Sequence, residues 1–155
     1  KLTFDNVTAD VQRVFDWLKA RPDVGQIGVV GFCMGGRLAF LTASAVDFKA
    51  AGVFYGGGLV PGPGNPYPPP SGLDVASRLK CPVISFWGGQ DKHIPREHVR
   101  QLEEAADQGP YPLEVHWYEQ ADHGFCCDDR ASYHADACRD AWAKLIAFLK
   151  TQLAT

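Results

Sequence analysis

The hydrophobic and polar positions at the start of the chain predict a helix followed by a strand. Apolar residues recur at helical spacing over residues 7–18, with Asp5 or Asn6 available as the N-cap. Residues 27–32 then form a continuous apolar run that is interrupted only by glycine. Such a run is typical of a parallel strand covered on both faces, so we expect it to be a central strand of a sheet.

The same alternation continues to the C-terminus. Pro95 stands at a favoured first-turn position of the helix predicted over residues 95–107. Strands that alternate with helices predict a parallel sheet of the α/β class. The remaining predicted helices cover residues 35–46, 73–80, 95–107 and the C-terminal segment, and the strands cover residues 50–55, 83–87 and, more peripherally, 113–118. The apolar stripe expected on the C-terminal helix consists of Ala135, Cys138, Trp142, Leu145, Ile146 and Leu149.

One long loop interrupts this pattern. Residues 56–72 contain six of the eleven prolines and six of the sixteen glycines, and regular α/β pattern continues on both sides. A connection of this length is long by loop standards. It is therefore interpreted either as a lid over a site or as an ordinary surface loop.

Composition excludes several classes of protein. The 155 residues are 46% hydrophobic and 21% charged, which predicts one globular domain over residues 1–155. A net charge of −3 argues against a nucleic-acid partner, and no apolar run approaches the roughly 20 residues of a membrane span, so no membrane partner is expected. The five cysteines contain no CxxC pair, so neither a zinc site nor a disulfide framework is predicted. The sequence still allows one disulfide bond. A reduced, cytoplasmic setting is the simplest interpretation.

The strongest chemical signal lies where the first strand meets the following helix. Residues 31–35 have the pattern G-x-S-x-G with Cys33 in the serine position. The sharp turn requires small residues two before and two after the nucleophile, and Gly31 and Gly35 meet that need. A helix N-terminus stabilises an anion, which suits a cysteine nucleophile, and the backbone N–H of Met34 would face a developing oxyanion. The alternative, a dinucleotide-binding turn beside an inert cysteine, requires glycine at position 33.

Two further residues complete a possible catalytic triad in the order nucleophile, acid, base. Asp91 follows the strand at 83–87 and His123 follows the strand at 113–118, so both reach the carboxyl edge of the sheet, where Cys33 lies. We predict that Cys33 forms an acyl-enzyme, that His123 transfers the protons and that Asp91 orients the imidazole.

Each partner has an alternative. Asp122 could orient His123 instead, but Asp91 is preferred because it ends a strand. Cys126 and Cys127 either line the pocket or pack under the loop, and packing is favoured. Solvated or packing roles are expected for the other histidines, which are His93, His98, His116 and His134.

Three segments together resemble the dienelactone hydrolase family: residues 29–36, residues 87–95 and residues 121–125. Tyr133 and Trp142, expected on the last helix, resemble that family's C-terminal helix. The resemblance implies an α/β-hydrolase fold, hydrolysis of a small lactone or ester without a cofactor or metal, and the triad Cys33, Asp91 and His123. Phe125 and Arg130 are the candidate substrate-binding residues. Arg130 is out of register, because the family's arginine stands four residues after the histidine, where this chain has Cys127.

The resemblance also implies segments that precede this chain. Family members carry additional strands before the first helix, with a second oxyanion donor, a carboxylate that helps to activate the thiol and a substrate-binding arginine. We therefore interpret the chain as the C-terminal portion of the fold, with Lys1 as a cropping point. The first strand would then have an unpaired edge, through which the chain could self-associate. The alternative function is accordingly a non-catalytic fragment, or a half-domain completed by another chain.

Overall fold

Helices and strands alternate along the whole chain. The fold is described from a computed structural model, which covers residues 3–62 and 67–154. In chain order the elements are α1 (Phe4–Lys19), β1 (Gly28–Phe32), α2 (Met34–Thr42), β2 (Ala50–Phe54), α3 (Gly72–Val75) with a 3₁₀ turn (Ala76–Arg78), β3 (Val83–Gly88), α4 (Arg96–Ala106), β4 (Leu113–Tyr118) and α5 (Ala135–Leu153).

The four strands form one parallel sheet in the order β1-β2-β3-β4. The register aligns Phe32 with Phe54 and Phe54 with Phe86. Their ring centroids lie 4.6 and 4.5 Å apart, so one aromatic row crosses three strands just before their carboxyl ends. The predicted α/β class with a parallel sheet is confirmed, and the residues that follow these strands all start from one edge.

The prediction that the first strand is central is wrong for the sheet formed by the described residues. β1 pairs only with β2 and lies at an edge, whereas β2 and β3 are buried along their whole length. The side chains of Val30 and Phe32 remain more than a third exposed. A continuous apolar run indicates that both faces of a strand are covered, but it does not report how many other strands pair with it.

Two predicted helix starts also require correction. Thr3, and neither Asp5 nor Asn6, caps α1, because the Thr3 hydroxyl accepts the backbone N–H of Asn6 at 3.3 Å. Pro95 is the N-cap of α4 and does not lie in its first turn.

The buried face of α5 differs from the predicted stripe. Trp142 faces the sheet, with its ring centroid 5.9 Å from that of Phe32 and 5.8 Å from that of Phe54, although it is 40% exposed. Ile146 is 47% exposed, whereas Leu145 is buried over the sheet. Gly52 of β2 explains the close approach of the helix, because a Cβ there would lie 2.6 Å from a Leu145 methyl group. Tyr133 precedes α5, whose cap is His134. The residues of α5 that are buried are Ala137, Cys138, Ala141 and Leu145.

All five cysteines are free thiols. Among the described residues, no helix combines the length and hydropathy that crossing a membrane would require.

Candidate active site

Cys33 stands at a sharp turn between β1 and α2. It is the N-cap of α2 with φ 54° and ψ −120°, it is exposed, and its N–H donates to the Phe54 carbonyl at 3.0 Å. A Cβ at Gly31 would lie 2.0 Å from the Gly35 carbonyl oxygen, so no side chain fits there. The prediction that Gly35 must be small is wrong, because a Cβ there meets nothing within 4 Å. The second glycine that the turn requires is Gly36, where a Cβ would lie 2.7 Å from the Phe54 oxygen.

The structure brings three of the predicted site residues into one chain of contacts. Asp91 Oδ2 lies 2.7 Å from His123 Nδ1, and His123 Nε2 lies 3.1 Å from Cys33 Sγ. The other oxygen of Asp91 accepts the backbone N–H of His93 at 2.8 Å. Asp122 instead accepts the backbone N–H of His123, at 2.6 Å. The carboxylate that contacts the imidazole is therefore that of Asp91.

The charges of this group reinforce one another. Burial acts to raise the pKa of Asp91, but the hydrogen bonds from the His123 ring and the His93 backbone outweigh it, and the pKa is lowered. The hydrogen bond to Asp91 raises the pKa of His123 to about 9, against the effect of burial and with a further contribution from Cys33. At neutral pH Asp91 is therefore ionised, and His123 retains its proton next to the Cys33 sulfur.

Phe125 is part of the core and not of the site's surface. Its side chain has no exposed area, and its ring packs against Tyr55 and Tyr118 at centroid distances of 5.2 and 5.4 Å. The prediction that Phe125 contacts substrate is therefore wrong for this structure, because a buried ring offers a ligand no surface. It supports the loop that carries His123.

Arg130 lies on the exposed side of the same loop. Its guanidinium is close to Gly124, which follows His123 and has φ +76°, and its backbone N–H donates to the Cys127 carbonyl at 3.1 Å. Its role in substrate binding stays a prediction. Cys126 and Cys127 are partly buried in this turn.

The other histidines have separate environments. His93 is exposed, but its ring is edge-on to His123 at a centroid distance of 6.4 Å. His116 stacks on Phe86 at 5.4 Å and bonds to a Glu114 carboxylate oxygen at 2.8 Å. His134 accepts the Ala137 N–H at the start of α5, and His98 lies in the first turn of α4, where its N–H donates to Pro95.

Arg37 lies four residues after Cys33 and is buried, which none of the sequence motifs predicts. Its guanidinium donates to the carbonyls of Gly58, Pro68 (3.0 Å) and Pro70 (3.1 Å), and it lies 4.9 Å above the Tyr67 ring. Burial lowers its pKa, with an opposing effect of Tyr67. The sequence feature that points to a buried role for Arg37 is its place among the apolar residues of a predicted helix.

Arg37 holds both described ends of the loop at 56–72 against the first turns of α2. The far end is also fixed, because Ser71 and Asp74 cap α3 reciprocally and the Gly72 N–H donates to the Leu59 carbonyl at 2.6 Å. Residues 63–66 lie outside the described residues, so the choice between a lid and a surface loop stays open there.

Cavity size does not point to this site. A cavity of about 440 Å³ lies at the opposite, amino end of the strands, lined by residues such as Lys49, Lys80 and Pro82. A smaller one of about 260 Å³ lies between Arg37 and the loop. The contacts of Cys33 instead bring together a thiol, an imidazole and a carboxylate at the carboxyl end of the strands. No group of three or more His, Cys, Asp or Glu side chains in the described part of the chain could hold a metal ion.

A parallel sheet flanked by helices, with a sharp strand-to-helix turn at Cys33, is the architecture of an α/β hydrolase. A crystal structure titled "Putative Dienelactone Hydrolase" from Klebsiella pneumoniae superimposes with a TM-score of 0.85 and 32% identity, covering 95% of this chain and 61% of that one. An esterase from Pyrococcus furiosus is 19% identical with a TM-score of 0.74 over 94% of this chain and 62% of its own, which supports the fold alone. The model of the dienelactone hydrolase family matches residues 1–153, and the chain belongs to that family.

Curated relatives agree with this assignment. A Synechocystis protein named "Putative carboxymethylenebutenolidase" is 34% identical, with 95% of this chain and 60% of the relative covered. The carboxymethylenebutenolidase of Rhodococcus opacus is also 34% identical, over 84% of this chain and 52% of its own. The chain thus spans between half and two thirds of the length of these relatives.

Proposed function

We propose that this chain carries the catalytic triad of a hydrolase that cleaves a carboxylic ester or lactone through an acyl-enzyme on Cys33. One observation carries the proposal: the contacts from Asp91 to His123 and from His123 to Cys33, at 2.7 and 3.1 Å, at a strand-to-helix turn. Family membership supports ester or lactone chemistry for these residues.

The first half of the reaction acylates the cysteine. The thiol proton of Cys33 passes to Nε2 of His123, and the thiolate sulfur then attacks the carbonyl carbon. The carbonyl π electrons move to the oxygen, which becomes an oxyanion that faces the N–H of Met34. Met34 is the first residue of α2, so its N–H lies in the turn that has no intrahelical acceptor. When the C–O bond breaks, the Nε2–H of His123 protonates the leaving alkoxide, which in a lactone stays attached to the acyl group.

The second half releases the acid. Neutral His123 removes a proton from water as the water oxygen attacks the thioester carbon. The C–S bond breaks, the sulfur leaves with its electron pair, and the carboxylic acid departs. Asp91 holds Nδ1–H throughout, so that Nε2 remains directed towards the sulfur. Arg130 is a candidate to pair with a carboxylate elsewhere on the substrate, and its test is the change in KM for an anionic and a neutral ester in Arg130→Ala.

Hydrolysis of p-nitrophenyl acetate and butyrate tests the proposal. Cys33→Ala should abolish turnover and the acyl adduct seen by intact-mass analysis after rapid acid quenching. Cys127→Ala is the matched control, because this thiol is also near His123 in the chain, and it should retain both. Unchanged turnover in Cys33→Ala would reject the mechanism.

One observation favours the second candidate, a half-domain that pairs with another chain. β1 is an edge strand in the described sheet, and its residues Val30 and Phe32 are more than a third exposed. Unpaired edges of this kind are templates for association. Sedimentation together with the esterase assay separates the outcomes: an active dimer supports completion by a second copy, and an inactive monomer supports a non-catalytic fragment.

A further inference from the structure

Tyr55, like Cys33, has a positive φ. Among the described residues other than glycine, these two have positive φ, 38° for Tyr55 and 54° for Cys33. They occupy equivalent places, because Phe32 pairs with Phe54 and each of the two follows directly. A bulky residue in this region of φ is strained and persists only where its surroundings hold it. The contacts around Tyr55 must therefore stabilise its backbone conformation.

The side chain of Tyr55 fills the space below the loop that carries His123. It is 4% exposed, and its backbone N–H extends the sheet by donating to the Phe86 carbonyl at 2.8 Å. Its ring lies edge-on to the His123 imidazole, with 5.3 Å between centroids, and edge-on to Phe125 at 5.2 Å. Burial raises the pKa of its hydroxyl, and the nearby backbone of Cys126 opposes that shift.

These contacts complement the one that Asp91 makes. A hydrogen bond to Nδ1 fixes one atom of the imidazole but leaves the ring able to tilt about that atom. The Tyr55 ring lies against the imidazole, and its hydroxyl is near the backbone of Cys126, three residues after His123. Both contacts act on the direction of Nε2, which lies 3.1 Å from Cys33 Sγ.

We propose that Tyr55 is a positioning residue for His123, and that its left-handed backbone directs the ring under the His123 loop. This inference rests on the proposed function, because it assigns Tyr55 to the base of that reaction. Tyr55 touches none of the reacting atoms, so its effect on the reaction passes through the orientation of the imidazole.

Two substitutions separate the ring from the hydroxyl. Tyr55→Phe keeps the ring and removes only the contact with Cys126. Tyr55→Asn removes the ring, but asparagine tolerates positive φ, so the backbone conformation is retained. Tyr118→Phe is the matched control, because Tyr118 also packs on Phe125 while its hydroxyl donates to Asp140 at 2.8 Å.

We expect kcat for p-nitrophenyl butyrate to fall roughly ten- to a hundred-fold in Tyr55→Asn and about two- to five-fold in Tyr55→Phe, with KM nearly unchanged. Tyr118→Phe should resemble the unmodified protein. The NMR titration of His123, assigned with His123→Gln, should move from about 9 towards 6.5 in Tyr55→Asn, because the tilted ring loses its hydrogen bonds to Asp91 and Cys33.

The titration does not depend on turnover, so it decides the inference even if no ester is hydrolysed and the proposed function fails. An unchanged kcat and an unchanged His123 titration in a folded Tyr55→Asn would overturn it, as would an equal loss in Tyr118→Phe. If near-UV circular dichroism shows that Tyr55→Asn does not fold, Tyr55→Phe decides: kcat and KM both equal to those of Tyr118→Phe would overturn the inference.

Discussion

The strands β1 and β3 each deliver a residue to the candidate site, but in opposite surroundings. β1 is an edge strand with Val30 and Phe32 partly exposed, and it ends at the exposed thiol of Cys33. β3 is buried throughout and leads into the turn that holds the buried carboxyl group of Asp91. The roles proposed for Cys33 and Asp91 account for this difference, because a nucleophile must be reached by substrate, whereas an orienting charge acts more strongly away from water.

The largest expected effect on kcat comes from neutralising the buried carboxylate of Asp91, which follows β3. Asp91→Asn should lower kcat by roughly 10³- to 10⁴-fold, because an amide cannot stabilise the charged imidazole in the required tautomer. Asp122→Asn is the control, since Asp122 bonds only a backbone N–H of the site, and it should lose less than about tenfold. Esterase kinetics measure both. Equal losses would mean that the two carboxylates share the orienting role.

The turn after β1 gives the next largest effect. Gly31→Ala should lower the free energy of unfolding by about 2–4 kcal/mol, because its Cβ would lie 2.0 Å from the Gly35 oxygen and the backbone must move. Gly35→Ala should be neutral or stabilising by up to about 1 kcal/mol, since the site is open and helical. Urea unfolding measures the difference. If both variants are equally stable, the steric account of the turn is wrong.

The hydrogen bond between His123 and Asp91 should make the free energy of unfolding depend on pH. The pKa of His123 is raised from 6.5 to about 9, so the folded state binds this proton more tightly than the unfolded state does. The contribution to the free energy of unfolding is fully present below about pH 6.5 and is lost as the pH rises through 9, at a cost on the order of 2 kcal/mol. Urea unfolding at several pH values measures it. Asp91→Asn should remove most of this slope, and a slope that survives would assign it to another group.

The smallest expected effect compares one valine from each strand. Val83 of β3 is 1% exposed, and Val83→Ala should destabilise the fold by about 2 kcal/mol. Val30 of β1 is 37% exposed, and Val30→Ala should cost less than about 1 kcal/mol. Thermal or urea unfolding measures both. Equal costs would indicate that β1 is covered in solution, which sedimentation would then attribute to self-association or to the monomer itself.

Much of the architecture could be predicted because periodicity reports local backbone geometry. The α/β class, the peripheral position of β4 and the order of elements follow from where apolar residues recur. The predicted stripe on α5 is less accurate, since Ile146 is exposed and Trp142 remains 40% exposed even though it packs on Phe32 and Phe54. The face that α5 buries depends on how closely it approaches Gly52, and no spacing within the helix reports that distance.

The sequence by itself determined the parallel sheet, the glycine that permits the Cys33 turn, and the arrival of Asp91 and His123 at the same edge as Cys33. These features depend on neighbouring residues and on chain order. Only the tertiary structure decided that Asp91 and not Asp122 contacts the imidazole, that Arg37 holds the proline-rich loop, and that Phe125 and Tyr55 pack beneath His123. Each of these contacts joins residues distant in the chain, so it is set by the paths of loops and the packing of helices, which local patterns do not encode.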